Sequence, residues 1–130
     1  MLKDGNLSKA EREMIVVATS ALNSCLYCVV AHGAILRIYQ KDPLIADQLA
    51  VNYRKAPISP RQRAMLDFAC KVATDSATVG DEDHASLGEH GFDAEAAWDI
   101  AAIAAFFGLS NRLANAIGMM PNEEFYRMGR

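Results

Sequence analysis

The sequence has 130 residues, of which 52% are hydrophobic, so it can form a single domain around one core. Its formal net charge is −3 and its basic residues are scattered, which argues against nucleic acid or a membrane surface as a partner. The N-terminal residues are too polar for a secretory signal, and the uncharged apolar runs are shorter than the roughly 20 residues of a membrane span. We therefore expect one cytoplasmic domain over residues 1–130.

The first helix is predicted from a capping signal near the N-terminus. Ser8 followed by Glu11 forms a capping box, and good helix formers continue from there, so a helix is expected over residues 8–22. Residues 23–24 break the pattern.

The second helix is predicted over residues 25–40 and is apolar on most sides. Such a helix is expected to be central in the domain or covered by another subunit. Its core-facing stripe is predicted to contain Cys25, Cys28 or Val29, His32, Ile35 or Leu36, and Tyr39.

The later helices are predicted from caps, prolines and glycines. A capping residue followed by proline opens two helices, at Asp42-Pro43 and at Ser59-Pro60. Alternating strand patterns and hairpin turns are weak throughout, so the predicted fold class is all-α, a single-domain bundle of about six helices. The predicted ranges of the last four helices are 43–55, 60–74, 82–90 and 94–118.

The motif CLYCVVAH places two thiols and an imidazole on one face of the second helix. The Cα atoms of Cys25 and Cys28 are expected about 5 Å apart, which a disulfide tolerates. His32 follows Cys28 by one turn and can accept its proton or stabilise its thiolate, whereas the positive end of the helix favours the Cys25 thiolate. The local sequence therefore predicts redox chemistry and leaves the attacking sulfur open. The alternatives are a chance grouping of core residues and a structural zinc site, for which a fourth ligand is not obvious.

Glu13 is the candidate partner of the imidazole. The short break makes the first two helices antiparallel neighbours, and Glu13 and His32 then lie at similar heights along them. The carboxylate can orient the imidazole directly or through one water.

The order of Glu13, then twelve residues later Cys25-x-x-Cys28-x-x-x-His32, resembles the AhpD-like alkylhydroperoxidase branch of the carboxymuconolactone decarboxylase superfamily, in particular its peroxidase-related members. The resemblance continues through SPRQRAMLDFACKVAT, GFDAEAAWDIAAIAAFF and NRLANAIG and covers nearly the whole chain. It implies an AhpD-like helical fold that assembles as a trimer or hexamer. It also implies that Cys28 attacks the peroxide, Cys25 resolves the sulfenic acid, His32 is the base and Glu13 its relay partner.

The predicted function is therefore a thiol-dependent peroxidase that reduces hydrogen peroxide or alkyl hydroperoxides. An external dithiol of protein or lipoyl type is the expected reductant, and no cofactor or metal is expected. Two alternatives remain: a non-enzymatic redox-sensing assembly module, and a lactone decarboxylase of the same superfamily, whose members lack the dithiol.

Other notable side chains are given no chemistry. Cys70 is interpreted as a buried, inert thiol, and His84 and His90 as solvated histidines. Asn111 and Arg112 match a recurring pair in the same family, but Arg112 is expected to bond carbonyl groups and neither is given a catalytic role.

Overall fold

A computed structural model describes residues 7–130 and contains six α-helices, three short 3₁₀ segments and no strand in that range. The predicted all-α fold class is confirmed. The predicted domain range starts at residues 1–6, which lie outside the described residues. The helices are α1 (Lys9–Leu22), α2 (Leu26–Gln40), α3 (Ile45–Asn52), α4 (Pro60–Asp75), α5 (Asp81–Glu89) and α6 (Ala94–Ile117). The 3₁₀ segments are Tyr53–Lys55, Ser76–Thr78 and Glu123–Tyr126.

Helix α1 is the central helix of the bundle. The predicted capping box is confirmed, since the Ser8 hydroxyl accepts the N–H of Glu11 and the Ser8 N–H donates to the Glu11 carboxylate. Every residue from 14 to 20 is buried, because α1 packs against α2, α3, α4 and α6 at once. The large, fully enclosed apolar side chains of the core are Met14, Ile15, Val17, Leu36, Ile45, Leu49, Met65, Leu66, Leu87 and Ile100.

Helix α2 is partly exposed in the single chain. Leu26 is 45% exposed and Tyr39, predicted to face the core, is 47% exposed. The last turn buries Arg37 instead, because its guanidinium donates to the carbonyls of Phe125 and Met128 at 2.7 and 2.8 Å. The C-terminal segment therefore covers the Arg37 side of α2 and leaves Tyr39 outside.

The predicted start of the third helix is wrong. The sequence places Pro43 in the first turn, whereas α3 begins at Ile45 without a side-chain cap. The reason is local, since the Asp42 carboxylate accepts the N–H of Leu44 at 2.9 Å and forms a turn that precedes the helix. The helix also ends earlier, at Asn52, and continues as a 3₁₀ segment.

Helices α4, α5 and α6 lie within about one residue of their predicted ranges. Ser59 and Gln62 form a capping box around the proline that opens α4. Asp93 accepts the N–H of Ala96 to cap α6, and Gly118, with φ of +71°, ends it in the left-handed conformation. Local capping chemistry thus determines most of the helix boundaries.

Helix α6 presents a broad apolar face to solvent. Within residues 7–130 it is the one helix that is long and apolar enough to cross a membrane, judged by length and composition alone. Its other side packs against α1 and α4 and carries the buried residues of the core. Its large side chains that are more than half exposed are Trp98, Phe106, Leu109, Leu113 and Ile117.

Candidate dithiol active site

The two cysteines of the motif lie at the N-terminal end of α2. Ser24, with φ of +51°, turns the chain after α1, so that Cys25 becomes the N-cap of α2. The Cys25 sulfur accepts the N–H of Cys28 at 3.3 Å and lies 2.7 Å from the Cys28 sulfur. Both side chains are buried, with 1% and 2% exposed. The pair can therefore close to a disulfide with little movement of the backbone.

The dithiol occupies a small compartment of its own. Cys25 and Cys28 pack with Ala114 of α6 and the half-buried Tyr27, apart from the main core. This enclosure keeps bulk water away from the sulfurs and strengthens electrostatic interactions with them.

Glu13 and His32 meet directly, across the antiparallel helices α1 and α2. The Glu13 carboxylate lies 2.6 Å from Nδ1 of His32, and their side chains are 17% and 24% exposed. A carboxylate is an acceptor only, so Nδ1 donates and Nε2 is the nitrogen that remains for proton transfer. The edge of Phe107 against the imidazole, with ring centroids 5.0 Å apart, further limits how the ring can turn.

The electrostatics of Cys28 differ from the sequence-based expectation. Among residues 7–130, no hydrogen bond joins His32 to Cys28, although both lie on α2. Burial, followed by the hydrogen bond with Cys25, raises the pKa of the Cys28 thiol from 9.0 to about 11. Hydrogen bonds from Asn111 and Ser110 act in the opposite direction and are outweighed. The resting site therefore holds a thiol at neutral pH, and the imidazole does not keep the sulfur ionised.

Asn111 is a site residue that the sequence interpretation missed. Its side chain is fully buried, donates to the Ser20 hydroxyl at 2.9 Å and accepts from the amide of Asn23 at 3.1 Å. It also acts to lower the pKa of the Cys28 thiol. The sequence contains a signal for this residue, since it places an asparagine within the apolar α6. A buried amide needs several hydrogen-bond partners and is therefore a candidate site residue.

Other titratable side chains singled out in the sequence lie in different surroundings. Cys70 is only partly buried and lines a cleft of about 470 Å³, where burial raises its pKa to about 11. In the same cleft the Tyr53 hydroxyl donates to Asp67. His84 is exposed, as predicted, whereas the half-buried His90 donates from Nδ1 to a backbone carbonyl in α5. Among the described residues, none of these groups forms a hydrogen bond to the sulfur of Cys25 or Cys28.

The arrangement of the side chains does not support the structural zinc site considered as an alternative. In the described part of the chain, no group of three or more His, Cys, Asp and Glu side chains is placed to hold a metal ion. Nδ1 of His32 is engaged by the Glu13 carboxylate and is not available as a metal ligand. Arg112 donates to the carbonyl of Gly108, in agreement with the role expected for it.

Comparisons with known proteins place this site in a family. The sequence profile of the carboxymuconolactone decarboxylase family matches residues 1–43, which contain the whole Glu13-to-His32 motif. An uncharacterised peroxidase-related protein from Ralstonia eutropha JMP134, described as an alkylhydroperoxidase AhpD core, is 73% identical. Its crystal structure matches with a TM-score of 0.98 over 100% of this chain and 68% of its own.

Two further structures extend the comparison. An uncharacterised peroxidase-related protein from Silicibacter sp. TM1040 is 48% identical, with a TM-score of 0.96 over 100% of this chain and 68% of its own. A protein of unknown function from Agrobacterium tumefaciens, 23% identical, shares the fold with a TM-score of 0.75 over 90% of this chain and 80% of its own. No curated protein matches the chain. The high identity over the full chain shows that this protein belongs to the AhpD-like, peroxidase-related branch of the carboxymuconolactone decarboxylase family.

Proposed function

We propose that this protein is a thiol-dependent peroxidase that reduces hydrogen peroxide or an alkyl hydroperoxide through a dithiol–disulfide cycle. The observation that carries the proposal is the 2.7 Å separation of the Cys25 and Cys28 sulfurs on a helix that also holds the Glu13-paired His32. The peroxidase-related description of the Ralstonia and Silicibacter relatives supports it.

In the first step the Cys28 thiolate attacks one peroxide oxygen. The O–O bond breaks, a sulfenic acid forms on Cys28, and the other oxygen leaves as an alkoxide or hydroxide that takes up a proton. Since the pKa of Cys28 is raised to about 11, its thiolate is scarce at neutral pH and a base must remove the proton. His32 is that base, because its Nε2 is free to accept while Glu13 stabilises the imidazolium.

We propose that the peroxide binds between the Cys28 thiol and the His32 imidazole. His32 follows Cys28 by four residues on α2, so their Cβ atoms lie about 5–6 Å apart. One oxygen-bearing molecule spans this interval, either the peroxide itself or a water. The proton taken from Cys28 can then be returned to the leaving oxygen through the same imidazole.

In the second step the Cys25 thiol attacks the sulfenic sulfur of Cys28. An S–S bond forms and water leaves, and the short separation of the sulfurs means that little rearrangement is needed. An external dithiol, of protein or lipoyl type, then supplies two electrons and two protons and restores both thiols.

The exposed apolar face of α6 suggests where copies of the chain associate. We propose a cytoplasmic homo-oligomer, a trimer or hexamer, in which this face and the exposed part of α2 are covered by neighbouring subunits. Sedimentation velocity of the purified protein tests the assembly, and a monomer at micromolar concentration would contradict it.

The peroxidase proposal is tested by a peroxide pulse on reduced protein. We expect one equivalent of hydrogen peroxide to join Cys25 to Cys28, seen in peptide mass mapping as the loss of two hydrogen masses, and peroxide to be consumed repeatedly when dithiothreitol is present. A disulfide without repeated consumption favours the redox-sensor alternative. No disulfide and no consumption, with loss of carboxylate from a lactone substrate, favours the decarboxylase alternative.

A further inference from the structure

The most enclosed polar side chain near the dithiol is Asn111 of α6. It is 0% exposed, and it belongs to the helix turn that also places Ala114 against the two cysteines. A fully buried amide in an apolar helix is costly unless its donors and acceptor are satisfied. Each donor and acceptor of the Asn111 amide therefore needs a partner.

The partners of Asn111 fix which way its amide points. The amide nitrogen of Asn23 can only donate, so the group that faces it is the Asn111 carbonyl oxygen, at 3.1 Å. The Asn111 amide nitrogen consequently points away from Asn23, with one N–H on the Ser20 hydroxyl at 2.9 Å. Its second N–H has no hydrogen-bond partner among the described residues, so it is the group left to act on Cys28, whose pKa the Asn111 side chain acts to lower.

We propose that Asn111 stabilises the Cys28 thiolate by donating its second amide N–H to the sulfur, and that Ser20 and Asn23 are positioning residues that hold the amide in this orientation. Since it concerns the same sulfur, this role rests on the proposed function.

The chemistry of the site needs such a donor. Burial and Cys25 both disfavour the thiolate, and the backbone N–H of Cys28 is directed at the other sulfur. A donor on the facing helix remains in place when the proton leaves, and hydrogen bonds to a charged acceptor are the stronger ones. Asn111 would act each time the thiolate forms, both before attack on the peroxide and when the disulfide is reduced.

The test measures the reactivity of Cys28 without any peroxide. In a Cys25→Ser, Cys70→Ser background the remaining described thiol is Cys28, and its alkylation by iodoacetamide proceeds through the thiolate with release of iodide. We expect Asn111→Ala to slow this alkylation roughly tenfold at a fixed pH between 7 and 9, since losing a hydrogen bond to a charge shifts a pKa by about one unit.

The matched control is Asn115→Ala, one turn further along α6. Asn115 is exposed and donates to the backbone carbonyl of Asn23, so this variant disturbs the same corner of the fold without removing the donor to sulfur. Its alkylation rate should stay within about twofold of the background. The direction of change separates the roles, because a merely structural defect at Asn111 exposes Cys28 and speeds alkylation. An unchanged or faster rate in Asn111→Ala, or an equal slowing in Asn115→Ala, would overturn the proposal.

If circular dichroism shows that Asn111→Ala does not fold, Ser20→Ala decides the matter. It removes an anchor of the amide while leaving the donor present, so a slowing of several-fold supports the proposal and an unchanged rate contradicts it. The outcome is independent of enzyme activity. Slower alkylation in a protein that consumes no peroxide would refute the proposed function and leave the role of Asn111 intact.

Discussion

Cys28 and Cys70 are both thiols beside a ring that is hydrogen-bonded to a carboxylate. At the dithiol the ring is His32, and in the cleft between α4 and α5 it is Tyr53, which acts to lower the pKa of Cys70. Burial is the largest cause in both places, and each thiol has its pKa raised from 9.0 to about 11. Judged by the direction and size of the pKa shift alone, the two thiols are equivalent.

They differ in what surrounds the thiol. The imidazole of His32 has Nδ1 engaged by Glu13, which leaves Nε2 to accept a proton. The phenol of Tyr53 has its own pKa raised by burial and by Asp67, so it stays protonated and cannot act as a base. Cys28 has a second sulfur at 2.7 Å, whereas Cys70 has none within hydrogen-bond distance among the described residues. The pKa of the resting thiol therefore does not tell the two cysteines apart. What marks Cys28 as the candidate reactive cysteine is the neighbouring base and the second thiol.

The largest expected difference between the two sites is in turnover. Cys28→Ser removes the attacking sulfur, and peroxide consumption with dithiothreitol should fall by at least about 10³-fold, to the background rate. The matched variant Cys70→Ser should retain the wild-type rate, because the Tyr53 phenol beside it stays protonated and the cleft supplies no second thiol. Coupled measurement of peroxide loss checks both. Loss of activity in Cys70→Ser with a correctly folded protein would mean that the two thiols cooperate.

The next effect concerns the carboxylates. Glu13→Gln removes the negative charge that stabilises the His32 imidazolium and should lower kcat/KM for peroxide by about 10²-fold. Glu11, two residues earlier on α1, is the matched control, because it is held by the Ser8 N–H and by Arg61 in a structural arrangement. Glu11→Gln should reduce the melting temperature with little change in kcat/KM. Equal activity losses in both variants would show that Glu13 acts only through the stability of α1.

The sequence predicts local features of this protein well. Capping boxes at Ser8 and Ser59 and the proline at the start of α4 involve residues within one helical turn, so their outcome does not depend on distant partners. The same local logic fails at Asp42, because the side chain can cap a helix or close a turn and the surroundings decide between them.

The candidate site also has features that the local sequence predicts and features that depend on distant residues. A short break between two helices is enough to predict that Glu13 and His32 lie side by side. The raised pKa of Cys28 and the contact from Asn111 depend on α6, more than 80 residues away in sequence, packing over the dithiol. Side-chain burial and contacts across the core are tertiary properties, which the periodicity of a single segment does not encode.

A smaller effect is expected at the Tyr53 hydroxyl. Tyr53→Phe deletes its hydrogen bond to Asp67, which joins the 3₁₀ segment to α4, and should lower the free energy of unfolding by about 1 kcal/mol. Urea denaturation measures this change. The variant should keep full peroxide turnover, and a reduced kcat in a folded variant would assign the cleft a part in the chemistry.

The last expected effect is the pH dependence of stability. Well below pH 9 both thiols are protonated in the folded and unfolded chain, so neither contributes a slope. Between pH 9 and about 11 the unfolded chain has lost these protons while the folded chain keeps them, because both folded pKa values are raised. Stability must therefore fall as the pH rises through this interval.

Cys70→Ala removes one of these contributions, so its melting temperature should decline less steeply than that of the wild type between pH 9 and 11. Cys28→Ser should flatten the decline to a similar extent, because the two pKa values are the same. Thermal melts by circular dichroism in the presence of a reductant measure both slopes. If only Cys70→Ala flattens the decline, Cys28 ionises more easily than its burial implies, and the donors from α6 then dominate the electrostatics of the dithiol.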